Sequence, residues 1–103
     1  MKNNLIEIPS DKSLITESFL ALFGDYIKIA LSRLLGSDVP EIRFRGRATD
    51  IKSLYNVLSH EKRYAESFMN HQLNNPQLIN DKYKLEQAIA SFEHETGIKW
   101  PLK

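Results

Sequence analysis

Apolar residues recur at spacings of three and four between Ile15 and Leu35: Ile15, Phe19, Leu22, Phe23, Tyr26, Ile27, Ala30, Leu31, Leu34 and Leu35. That is the period of an amphipathic helix. Ser10 or Ser13 can cap its start by accepting a bond from an unpaired backbone N–H, and Gly36 is a natural stop. Leu14, Leu20 and Ile29 widen the stripe beyond one face. A helix this apolar is either central to the core or part of an interface between copies. Gly24 sits where it can bend the helix or let a neighbour approach.

A second helical stripe runs through Ile51, Leu54, Tyr55, Leu58, Ala65, Phe68, Met69 and Leu73, with Thr49 or Asp50 as its cap. Glu61 and Lys62 interrupt it, so a kink or a polar contact is expected there. Asn74-Asn75-Pro76 ends it. Asn75 can cap the next helix, with Pro76 at the first helical position. In that last helix Leu78, Leu85, Ile89 and Phe92 share a face. Thr96-Gly97-Ile98 reads as its stop, with Gly97 left-handed and Ile98 packing back. Trp100 is expected to dock on the core.

One segment has a different period. Residues 41–47 read Glu-Ile-Arg-Phe-Arg-Gly-Arg. In an extended chain Ile42 and Phe44 point one way, and Arg43, Arg45 and Arg47 point the other, about 6.6 Å apart. The predicted fold is therefore mainly α: three to four helices with at most one short β element, residues 41–46, which can pair with residues 4–8. The expected organisation is one compact helical domain over residues 1–103, with a short N-terminal arm at 1–9.

Composition adds little to that pattern and removes a good deal. The chain has 103 residues, 42% hydrophobic and 26% charged, and a formal net charge of +1. Basic and acidic residues balance along the chain except in 37–48, where Arg43, Arg45 and Arg47 face only Asp38 and Glu41. A chain this neutral has no global field to draw in a polyanion, so any electrostatic binding is local. Cysteine is absent, which removes disulfides, thiolate nucleophiles and thiolate metal ligands. Small secreted domains usually need disulfides, and a cytoplasmic location is expected. Glu17, Asp25, Lys28 and Arg33 recur through the most apolar stretch, so no membrane span is expected.

Candidate chemistry is sparse. The arginines suit phosphate or carboxylate, and Lys52, Lys62 and Arg63 can extend a binding patch made of Arg43, Arg45 and Arg47. No aromatic platform shares their face, because Phe44 alternates away from them. His60, His71 and His94 form no His-x-x-x-His pair, so no metal site is expected. No catalytic motif and no phosphate-binding glycine loop is present, so neither catalytic residues nor a cofactor is assigned. The sequence thus points to a small non-enzymatic binding or assembly protein, an accessory protein of bacterial or phage type, acting through protein–protein contacts as a homo-oligomer. Its expected interface is Phe19, Phe23, Tyr26, Ile27, Leu31 and Leu34. Partners consistent with the arginines are an acidic protein or, as the alternative function, nucleic acid held by its phosphates.

Overall fold

The computed structural model describes residues 4–70 and 75–102. Two short strands and three helices follow in the order β1 (Leu5–Glu7), α1 (Glu17–Leu34), β2 (Arg43–Arg45), α2 (Ala48–Asn70) and α3 (Pro76–Thr96). The fold is mainly α with one small sheet, as the periodicity predicts. β1 and β2 are parallel, with Ile6 opposite Phe44 and Glu7 opposite Arg45. Parallel strands need a long crossover, and α1 supplies it.

Both strands alternate as read. Ile6, Ile8, Ile42 and Phe44 are buried, while Glu7, Arg43 and Arg45 are exposed. Gly46 follows β2 where Ile8 packs tightly against it. A Cβ there would lie 3.0 Å from Ile8 Cβ and 3.2 Å from its carbonyl oxygen. Gly46→Ala is expected to lower stability by about 1–3 kcal/mol through overpacking. A denaturation midpoint equal to wild type would show that the Ile8 backbone gives way freely.

The caps correct part of the sequence reading. α1 starts at Glu17 because Thr16 accepts from Phe19 N–H at 3.1 Å. Ser13 is occupied otherwise: its hydroxyl donates to Asp11 Oδ1 at 2.8 Å, and Asp11 caps a single 3-10 turn at Lys12–Leu14. α2 starts one residue before Thr49, and Asp50 lies inside its first turn instead of capping it. Asn75 caps α3 through Gln77 N–H at 2.8 Å, and Gly97 adopts φ +78°. α2 runs without interruption past Glu61. Leu73, expected in its stripe, and the end signal at Asn74 lie outside the described residues.

α2 and α3 form an antiparallel hairpin, and α1 lies across it over an aromatic layer. The Phe23 ring is the hub of that layer. It stacks on Phe19 (centroids 5.7 Å apart) and Phe92 (6.0 Å), and meets Phe44 and Trp100 edge-on (6.3 Å each). Ile27, Leu54, Val57, Leu58 and Ile98 complete the interior. The tail after α3 is held firmly. Ile98 N–H donates to Thr96 Oγ1, and Trp100 N–H donates to Glu93 Oε2 at 2.8 Å. Pro101 then rests against Gly24 of α1, where an added Cβ would touch it at 3.4 Å. Gly24 thus permits the close approach of the tail.

Phe23 and Ile27, expected at an interface between copies, are fully buried inside the chain and cannot serve one. The aromatic layer uses them. Phe19, Tyr26 and Leu31 are half-buried, and Leu34 stands exposed at the end of α1.

Candidate protein-binding groove

The three arginines of the exceptional segment project outward as the alternation demands, but they are not equivalent. Arg45 donates to Glu7, its register partner on β1. Arg47 leaves the strand direction and makes two bonds to Asp50, from Nε at 3.1 Å and Nη2 at 3.2 Å. Asp50 is fully buried in the first turn of α2. A carboxylate there is favoured by the helix dipole and matched by the guanidinium fork. The hydrogen bond to Asp50, then its charge, raise the Arg47 pKa. Arg43 makes no ion pair among the described residues.

The remaining members of the sequence-defined patch lie apart. Lys52 borders a shallow hollow between α2 and α3, beside Asn56 and Ser91. Lys62 is ten residues further along α2, about 15 Å by helix rise, and pairs with Glu66 at 3.6 Å. Arg63 stands near Asp81 of α3, whose charge it favours. The six cations therefore do not converge on one surface.

The buried acids are committed to the fold. Glu61 Oε2 accepts from the Trp100 indole N–H at 2.7 Å. Burial pushes the Glu61 carboxyl above its ordinary pKa, and the indole hydrogen bond offsets part of this. Asp81 accepts from Gln77 Nε2 at 3.0 Å. Its burial would raise its pKa. The Gln77 amide, the adjacent Ser67 hydroxyl and the charges of Arg63 and Lys84 outweigh that and hold it low. Ser67 Oγ acts there as a nearby dipole, since it completes no hydrogen bond among the described residues. No three His, Asp or Glu side chains gather as a metal site among the described residues. His60 is half-buried and His94 exposed, while His71 lies outside the described residues. No described helix is long and apolar enough to cross a membrane.

What the fold does assemble is a groove of about 380 Å³ between the end of α1, β2 and the middle of α2. Its floor is apolar: Ile42, Phe44 and Leu58, all buried. Its walls carry Leu34 and Tyr55, whose ring meets Phe44 edge-on at 6.2 Å. Arg33, Lys62 and Glu41 stand at its rim. The Arg33 guanidinium donates to the Val39 carbonyl at 2.8 Å, which fixes the α1–β2 connection against the groove.

Comparison with protein families, with curated proteins and with solved structures finds nothing that matches this chain.

The groove is not legible in the sequence. The sequence marks Leu34 as interface and Lys62 as patch, but Arg33, Glu41 and Leu58 belong to three separate segments and meet only in the folded chain. Tyr55, expected in the apolar stripe of α2, is instead 48% exposed. The local signal is the alternation of Ile42 and Phe44, which marks part of the groove floor but not the elements around it.

Proposed function

We propose that this chain is a small, non-enzymatic binding and assembly protein of the cytoplasm that works through protein–protein contacts and associates with copies of itself. The observation that carries the reading is the apolar surface left over once the core is filled. Exposure runs from 42% at Leu34 and Leu35 to 72% at Met69, with Phe68, Ile79 and Tyr83 above half. Contiguous apolar surface on a soluble chain marks a contact with another molecule. Phe68 and Met69 end α2, and Ile79 and Tyr83 begin α3. One end of the hairpin therefore carries four large exposed apolar side chains. A net charge of +1 leaves two copies little mutual repulsion.

Sedimentation at micromolar concentration tests the reading. The wild type is expected above monomer mass, and the double variant Phe68→Lys/Ile79→Lys is expected at monomer mass with unchanged helix content. A wild type that stays monomeric at high concentration would remove the self-association half of the proposal. Phosphate binding through Arg43, Arg45 and Arg47 has weaker footing, because Arg45 and Arg47 already hold Glu7 and Asp50. A salt titration against mixed DNA and RNA decides it: affinity that falls steeply with salt is the signature of phosphate contacts.

A further inference from the structure

The two-stranded sheet leaves one edge of β2 unpaired. Arg43 N–H donates to the Asn4 carbonyl at 2.8 Å, and Ile8 N–H donates to the Arg45 carbonyl at 2.7 Å. In a parallel ladder the main-chain groups of Arg43 and Arg45 then face β1, and those of Phe44 face the opposite way. Among the described residues, no turn, loop or cap hydrogen bond engages the main chain of Ile42 or Phe44. Main-chain groups of residues this buried are nearly always paired. Beyond this edge lies the groove between α1 and α2, whose floor includes Ile42 and Phe44.

We propose that the open edge of β2 takes a third strand, an extended segment of another protein in which apolar and acidic residues alternate. Strand addition of this kind gains affinity from the main chain and selectivity from alternate side chains. An added strand would send every second side chain into the groove, against Phe44, Leu34, Leu58 and Tyr55. The intervening side chains would stand on the outer face beside Arg43 and Arg45, where cross-strand neighbours of opposite charge attract. Arg43 has no ion pair among the described residues, and Arg33 at the rim bonds only the neutral Val39 carbonyl, while Lys62 already faces Glu66.

The other edge of β2 already shows this solution within the chain. There Ile6 and Ile8 point inward and Glu7 points outward onto Arg45. A second copy of β2 is the wrong occupant, because it would set arginine opposite arginine, and like charges in that position repel. Short strands with outward charges are how exposed edges are guarded against pairing with themselves. Here the same guard selects an acidic strand. The proposal rests on the protein-binding reading above but not on self-association, which uses the far end of the α2–α3 hairpin.

The probe is a fluorescent eight-residue peptide of alternating isoleucine and glutamate, titrated against the full chain at low salt. Saturable binding is expected, with the Phe44 amide becoming protected from hydrogen exchange. Arg43→Glu, an exposed change checked for helix content, is expected to weaken binding about tenfold. N-methylation of alternate peptide amides is expected to abolish it. Failure of the parent peptide to bind overturns the proposal. So does an N-methylated peptide that binds equally well, or a peptide with lysine for glutamate that does so. Those three results leave the sedimentation test of assembly untouched, so the two readings fail separately.

Discussion

Phe23→Ala is expected to cost about 3–5 kcal/mol of folding stability. Among the described rings, Phe23 makes the most ring–ring contacts. Its ring contacts Phe19 on its own helix, Phe44 on β2, Phe92 on α3 and Trp100 in the tail. Aromatic pairs contribute roughly 0.5–1.5 kcal/mol each beyond buried area, and alanine removes four of them while leaving a cavity at a fully buried site. Domains of this kind have about 5–15 kcal/mol in total, so the variant is expected to be marginal or partly unfolded near physiological temperature. Urea denaturation followed by circular dichroism measures it. A loss below about 1 kcal/mol, nearer the scatter of surface changes, would mean that α1 does not pack through this face. Leu31→Ala is expected to lose less, because Leu31 is only half-buried.

The elements were legible because their signals are local. Spacing found the three helices, alternation found β2 and its partner segment, and Gly97 and Asn75 announced their ends in their own chemistry. The start of α1 is ambiguous in the sequence because Ser13 and Thr16 are both competent caps, and Asp11, two residues upstream of Ser13, decides between them by engaging Ser13. The destination of the arginines was half legible. Outward projection follows from the pleat, but the split between Arg45 on Glu7 and Arg47 on buried Asp50 depends on where α2 begins. The width of the apolar stripe on α1 suggested a partner copy, because a sequence does not show how much a neighbouring tail can cover. Trp100 and Pro101 fold back over that helix and absorb part of the surplus. The groove was illegible for the same reason: its floor and rim come from three segments whose meeting is a property of the tertiary fold.

The second large effect is expected at the tail. Trp100→Ala should lower stability by about 3–5 kcal/mol, because it empties a buried site between Phe23 and Phe92 and strips the Glu61 carboxylate of its indole donor. Trp100→Phe separates the two contributions. It keeps a ring in the aromatic layer, and the hydrogen bond it loses is worth about 1.5–3 kcal/mol when the acceptor is charged. Glu61→Gln changes the balance differently. The amide oxygen can still accept from the indole N–H, while the desolvated charge disappears. Burial raises the Glu61 pKa in the folded state, so the fold favours the protonated acid. That contribution is fully present below the unfolded pKa and is lost as pH rises through the raised folded value. The advantage of Glu61→Gln over wild type is therefore expected to grow as pH climbs out of the carboxylate range. Asp81 works in the opposite sense. Its lowered pKa adds stability above the unfolded value that disappears as pH falls through the folded one, and Asp81→Asn should flatten that acid limb. Denaturation midpoints between about pH 3 and about pH 8, a range that spans the ordinary carboxylate values, test both. If Glu61→Gln and wild type ran parallel across that range, Glu61 would not be the group that holds the tail at the expense of a buried charge.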